Sequence, residues 1–212
     1  MENYKDCCIV SCAFREPYLT HSDKQLEIIK EFNHIRFIDQ LPYKEGLVNN
    51  NIVERFQKSL YGFKPHAIQF AISLGFKKIV WFDPSVLPTV SPKVLFDSLD
   101  EHHMIVVKGD NPINNMVNEK AIRWFGVDRI NLGRVNHIGG TIYGFNFNEP
   151  MTNQVFQLWK SAEEKGIFGT QDEFMAGHWA DEACMVLAMQ KIGVKQYSEE
   201  KFTYLNQKEI PA

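Results

Sequence analysis

KKIVWFDPSV, residues 77–86, is the stretch whose reading decides the fold. Ile79, Val80, Trp81 and Phe82 form a short unbroken run of strand-forming apolar residues, the pattern of a strand buried on both faces at the centre of a sheet. Asp83 ends the run, and Pro84 stops further pairing. A carboxylate at the C-terminal end of a buried strand stands where open α/β sheets place their ligands. Asp-Pro-Ser is also ordinary turn chemistry, so the rest of the chain has to weigh the two readings.

Strands and helices alternate on either side. Residues 7–13 (CCIVSCA) read as a first buried strand, followed by Phe14, Arg15, Glu16 and Pro17. An aromatic ring and a guanidinium just past a first strand suit a base and a phosphate, and they equally suit a packed loop. A helix is expected over 22–32, with Ser22 and Asp23 near its N-cap, and a second strand over 34–39. The pattern stops at 41–51, where Pro42, Gly46 and three consecutive Asn mark a loop. Phe56, Leu60, Phe63 and Ala67 then recur at helical spacing, divided by Gly62 and Pro65 into helices at 52–61 and 65–74. Lys58 and Lys64 flank that break. Strand, loop, helix, strand is the rhythm of a right-handed parallel crossover.

Past Asp83 the pattern predicts a short helix at 93–99 and a strand at 104–108. Residues 109–135 form a weakly patterned insertion bearing Trp124 and Phe125, expected to cover a site rather than fill a core. HIGGTIYGFNF (137–147) alternates as a strand, and Gly139 and Gly140 allow either close approach of a ligand or a bulge. A helix opens at Pro150 and ends at Gly166. GHWADEACMVLAMQKIG (177–193) holds the last helix, with His178, Asp181 and Glu182 at or just before its start, where carboxylates also simply favour the helix dipole.

At 212 residues the chain fits one domain, 1–212, with 44% hydrophobic residues and enough aromatics for a packed core. A net charge of −3 without a basic block gives no electrostatic support for nucleic acid or a membrane surface. No apolar run approaches the ~20 residues that span a bilayer, and MENYKD lacks a secretory pattern; the expectation is a soluble, cytoplasmic chain. Cys7, Cys8, Cys12 and Cys184 have no zinc-type spacing and read as free structural thiols.

The succession FKPHAIQFAISLGFKKIVWFDPSV, then GGTIYGFNF with a Trp-bearing helix, then HWADEACMVLAMQKIG resembles glycosyltransferases of the GT-A fold over residues 7–193. The likeness is strongest to a group with a KP-helix, a W-x-D-x-S strand end and a late H-x-x-D-[EQ] motif. In size and layout the chain is similar to the N-terminal glycosyltransferase domain of a multidomain enzyme of large viruses of green algae. The resemblance implies a GT-A-like, Rossmann-related α/β domain with a mixed, mainly parallel central sheet flanked by helices. It also implies transfer of a hexosyl or deoxyhexosyl group from a nucleotide diphosphate donor, UDP-linked, to a hydroxyl of a glycan acceptor. A viral origin would place it in the host cytoplasm as part of a longer polypeptide.

Where that family carries Asp-x-Asp, this chain has Asp83-Pro84-Ser85, a departure that weakens the implied metal site. Mn²⁺ or Mg²⁺ would rest on Asp83, the two phosphates and water, with His178 as a nitrogen ligand. Alternatively Lys58, Lys64 or Arg15 would neutralise the leaving group without a metal. The donor is expected against Ala13, Phe14, Arg15, Lys58, Lys64, Asp83, Ser85, Gly139 and Gly140. Asp181 falls on the family's late Asp, as the acceptor's base or the stabiliser of an oxocarbenium-like centre; lying three residues before Cys184, it shares the helix's inward line, and it is preferred to Glu182. Two other readings stand beside this one. A sugar nucleotidyltransferase would need a Gly-rich phosphate loop where CAFREPY stands. A catalytically inactive nucleotide-sugar-binding domain would explain the missing second Asp.

Overall fold

The computed structural model, which describes residues 4–206, sets β5 (Lys78–Phe82) in the middle of a five-stranded sheet. β1 (Cys7–Ala13) lies beside it and β2 (His34–Ile38) forms one edge, both parallel to β5. On the other side β8 (Asn136–Asn146) pairs antiparallel with β5, and β7 (Met104–Pro112) closes the far edge antiparallel to β8. Four of the five strands therefore run one way. This is the mixed, mainly parallel α/β class expected from the sequence.

Strand alternation divides the core in two. Ile79 and Trp81 face a larger cluster built with α3 (Phe63–Ser73), α7 (Pro150–Glu164) and α9 (Ala180–Ile192). Val80 and Phe82 face a smaller one under α1 (Tyr18–Ile29) and α4 (Lys93–His102). α9 is apolar almost all round and buried from Ala183 to Met189, as a helix in the middle of a core must be. All four cysteines are free and buried, and burial pushes the Cys7 and Cys8 thiols up to about 12. No helix among the described residues is long and apolar enough to cross a membrane.

The structure departs from the sequence expectations at four places. α1 begins at Tyr18, so Ser22 is interior; its hydroxyl accepts from Arg36 Nε on β2 at 3.0 Å instead of capping a helix. The stretch after β2 holds a small hairpin of β3 (Leu41–Tyr43) and β4 (Gly46–Val48), which tolerates Pro42 because it is a short two-stranded ribbon. α2 (Ile52–Lys58) ends before the break, and α3 starts at Phe63, which places Pro65 in its first turn. The insertion is core and not cover. It forms a 3₁₀ turn, α5 (Glu119–Phe125) and α6 (Arg129–Leu132), capped by the side chains of Asn118 and Asp128, and it buries Val117, Ile122, Phe125 and Leu132 in the larger cluster. Beyond it lie α8 (Gln171–Met175) and, after Asp83, β6 (Val86–Pro88), which pairs with β9 (Tyr204–Asn206).

Trp159 of α7 links this packing to the start of α9, its Nε1–H donating to the Asp181 carbonyl at 2.9 Å. Trp159→Phe removes that hydrogen bond and part of the buried ring while the Asp181 carbonyl keeps its place in the helix, so urea unfolding should show a loss of ~1–3 kcal/mol with an unchanged m-value.

Candidate functional site

The C-terminal ends of β1 and β5 open into a narrow cleft walled by Phe14, Tyr18, Phe56 and Tyr61, with Arg15 and Asp83 at its edges. The Arg15 guanidinium lies 5.5, 5.9 and 6.0 Å from the ring centres of Phe14, Tyr18 and Phe56. Flat rings beside a fixed positive charge can take a planar base with an attached phosphate. A larger groove at the opposite end of β1, bounded by Tyr4, Phe32 and Lys93, carries exposed ion pairs such as Lys93–Asp97 and lies away from the strand ends where α/β sheets bind ligands.

Asp83 forms the turn and also borders the cleft. Its Oδ1 accepts from the Ser85 backbone N–H at 2.9 Å and from Ser85 Oγ at 2.7 Å, a local turn, while the residue still borders the cleft. Gln25 of α1 pins the turn from outside by donating to the carbonyls of Asp83 and Val86 at 3.0 and 2.8 Å. Ser85 is buried with its hydroxyl committed to Asp83, so it shapes the carboxylate and does not itself point at a ligand.

Behind the cleft lies a buried charged cluster. Lys64, 2% exposed, donates from Nζ to Asp181 Oδ2 at 2.7 Å and to the Gly140 carbonyl at 3.0 Å. The ring centres of Tyr61, Tyr143 and Trp81 stand 4.5, 5.4 and 5.7 Å from the same ammonium. Tyr143 donates its hydroxyl to Asp181 Oδ2 at 2.9 Å, and Asp181 is 1% exposed. Glu182 accepts from the Gly140 N–H through Oε1 at 2.6 Å, but its buried Oε2 has no partner. Burial, and then the charge of Asp181, push the Glu182 carboxyl up to about 8.

The register of β8 makes this possible. Pairing with β7 jumps from Val106↔Tyr143 to Val107↔Gly139, so residues 140–142 bow out of that ladder. Gly140 then serves Lys64 and Glu182 with its two backbone groups. A Cβ there would lie 2.7 Å from Lys64 Nζ and 2.9 Å from Glu182 Oε1, so the protein's own side chains occupy the space that the glycine leaves. Gly139 is under no such constraint, its nearest neighbour being 3.7 Å from a built Cβ.

Of the residues that the sequence put forward, Phe14, Arg15 and Asp83 meet at the cleft, and Lys64, Gly140 and Asp181 meet in the cluster behind it. Ala13 is buried in β1 and contributes its carbonyl to Asp39 N–H at 2.9 Å. Lys58 reaches neither place; it lies exposed on α2, paired with Glu54 one turn away at 2.5 Å. His178 is 2% exposed, with Nε2 at 3.0 Å from the Ile167 carbonyl and Nδ1 accepting from the Asn118 N–H at 3.4 Å. Burial lowers its pKa, and as placed it has no ring nitrogen left for a metal. Among the described residues no three His, Cys, Asp or Glu side chains are placed to hold a metal ion. Tyr61, Trp81 and Tyr143, the aromatic walls around Lys64, were not singled out for the site. Their only sequence signal was position: the break after α2, the central strand, and the strand after the glycine pair.

No family model and no curated protein matches the chain. Among solved structures it is similar to a candidate nucleotide-diphospho-sugar transferase of Desulfovibrio desulfuricans G20, with 10% identity and a TM-score of 0.48 over 91% of this chain and 79% of that one. It is similar as well to a glycosyltransferase involved in the glycosylation of the major capsid of PBCV-1, with 12% identity and a TM-score of 0.45 over 78% and 69% of the two chains. The bifunctional glycosyltransferase WbbM gives 11% identity and a TM-score of 0.44 over 87% of this chain, which spans 36% of that protein.

Two measurements test the cluster. Lys64→Met should cost ~3–5 kcal/mol in urea unfolding by leaving Asp181 unpaired, whereas the double variant Lys64→Met/Asp181→Leu should recover much of that loss. For Glu182, a folded-state pKa raised from 4.5 to about 8 means that the native state holds the proton more tightly than the unfolded chain. Its contribution is present below pH 4.5 and lost as pH rises to about 8. Glu182→Gln should therefore stabilise the protein more at the upper end of that window than at the lower, read as the shift in urea midpoint.

Proposed function

We propose that the chain transfers a hexosyl or deoxyhexosyl group from a nucleoside diphosphate donor, UDP-linked, to a hydroxyl of a glycan acceptor. One observation carries this reading: a cleft with Arg15 and Asp83 at the C-terminal strand ends adjoins a buried cluster holding a lysine and two carboxylates. The base stacks among Phe14, Tyr18 and Phe56, and the diphosphate lies against Arg15, whose charge stabilises the negative charge developing on the leaving group.

A divalent ion, Mn²⁺ or Mg²⁺, fits in one form only. Asp83 offers a single carboxylate ligand, and such ions are commonly held by one or two carboxylates together with substrate phosphates and water. When bound, it supplies further neutralisation of the leaving diphosphate. His178 does not fit that set, because both of its ring nitrogens are already engaged.

The two adjacent carboxylates take different roles. Asp181 faces inward, as its helical line with Cys184 implied, and its Oδ2 is committed to Lys64 and Tyr143; it holds fixed negative charge beside the reacting centre. Glu182, with an unpartnered oxygen and a carboxyl pushed up to about 8, holds its proton at neutral pH and accepts the acceptor hydroxyl's proton in its ionised fraction, which grows as pH rises toward 8.

Incubation with labelled nucleotide sugars tests the reading. Transfer or release of sugar supports it, pyrophosphate exchange would point to nucleotidyl transfer, and saturable binding without turnover to an inactive binding domain. In calorimetry Asp83→Ala should abolish divalent-dependent UDP binding, and unchanged affinity would count against the placement of the diphosphate. In the turnover assay Glu182→Gln should cost ~10²–10⁴ in rate with UDP binding retained; near-normal turnover there with a dead Asp181→Asn would return the base to Asp181.

A further inference from the structure

The cleft and the charged cluster meet at one side chain. Tyr61 lines the cleft and also covers Lys64, whose Nζ lies 4.5 Å from its ring centre. Lys64 and Asp181 are 2% and 1% exposed. The Tyr61 ring thus stands between the cleft that it lines and the ammonium that it covers.

The backbone at this residue is unusual. Tyr61 has φ of 56°, the left-handed region that bulky L residues rarely occupy, and such outliers gather at ligand clamps and switches. Its neighbours hold it there. The Leu60 N–H donates to the Gly169 carbonyl at 3.2 Å, the Gly62 N–H donates to the Ser59 carbonyl at 3.1 Å, and Ser59 Oγ donates to Glu163 Oε1 at 2.9 Å. A Cβ on Gly62 would lie 2.3 Å from Ser59 Oγ and 2.8 Å from Glu163 Oε1, so the segment has no slack on that side. The ring, half-buried against the larger core cluster, makes a cation–π contact with Lys64 and an edge contact with Phe56 at 5.2 Å.

We propose that the Tyr61 ring is a movable partition, turning about χ1 on a pinned backbone, and that the sugar end of a nucleotide donor reaches Lys64, Asp181 and Glu182 when the ring is turned out. The identity of the entering group rests on the donor reading above; the partition itself does not. With the ring closed, Lys64 keeps a π face and water is kept from the cluster. With it open, the ammonium exchanges that face for donor oxygens, a substitution close to neutral for a charge already paired with Asp181.

The test reads Lys64 directly. The folded protein is treated with a water-soluble acetylating ester, and acetylation at Lys64 is followed by peptide mass spectrometry, with exposed Lys58 as the internal standard. Wild type and Tyr61→Phe, which keeps the ring, should react slowly and alike; Tyr61→Ala should react about tenfold faster at Lys64 and unchanged at Lys58, as expected when a local opening step is removed. Tyr61→Leu serves if the alanine variant does not fold. Equal rates in all folded variants overturn the partition. A 3-fluorotyrosine placed at position 61 then reports the movement: the ¹⁹F signal should shift with UDP-glucose or UDP-galactose and much less with UDP alone. An unmoved signal with a UDP-sugar that calorimetry shows bound overturns the movement while leaving the donor reading intact. Failure of every nucleotide to bind overturns the donor reading, and the acetylation rates alone then decide the partition.

Discussion

An ion pair between Lys64 and Asp181, shut away from water, sets the conditions for everything around it. Taking both charges out of solvent costs several kcal/mol per ion, and their mutual attraction offsets this only with further partners. The structure supplies them: the Gly140 carbonyl and three aromatic faces for the ammonium, the Tyr143 hydroxyl for the carboxylate. The pair and its partners come from α3 and the turn before it, β5, β8 and α9, so the pair ties the second half of the chain to the first. Its geometry also explains why Gly140 has no side chain and why β8 leaves the ladder with β7 at that point.

One lysine serves two neighbouring carboxylates. Burial raises both carboxyls; Asp181 has Lys64 at 2.7 Å and the Tyr143 hydroxyl to oppose this, whereas Glu182 is left with a backbone N–H and the repulsion of its neighbour. The region therefore carries a spare proton near neutral pH, the usual result when adjacent acids sit in a dry place with too few cations. That asymmetry separates their chemistry more firmly than the direction in which either points from the helix.

Some of this was legible beforehand. The unbroken apolar run before Asp83 identified the central strand because a strand covered on both faces has no polar side to show, and Asp83 stood out as its end. The antiparallel β8 between β5 and β7 was not legible, since its partners come from residues far apart in the chain. Lys58 and Lys64 look alike in sequence, six residues apart across a break, yet one lies on the exposed face of α2 and the other in the first turn of a buried helix. His178 drew notice by standing near Asp181, but nothing in the sequence says that a buried carbonyl and an amide already use both of its nitrogens. The left-handed backbone at Tyr61 is likewise invisible, because a tyrosine there goes against the local rule and is held by Ser59, Gly62 and Glu163.

The insertion between β7 and β8 has a consequence for how the chain tolerates rearrangement. Because Val117, Ile122, Phe125 and Leu132 share one continuous core with α9, excising that segment would open a cavity against the helix that carries Asp181 and Glu182. Grafting, trimming or circular permutation is better accommodated at exposed turns with few buried contacts. The tip of the β3–β4 hairpin, where Lys44, Glu45, Gly46 and Leu47 are all exposed, is such a place. A segment that reads as an embellishment is thus part of the minimal fold, whereas in the shorter hairpin only the exposed tip is dispensable, since Leu41 and Tyr43 at its base belong to the same core.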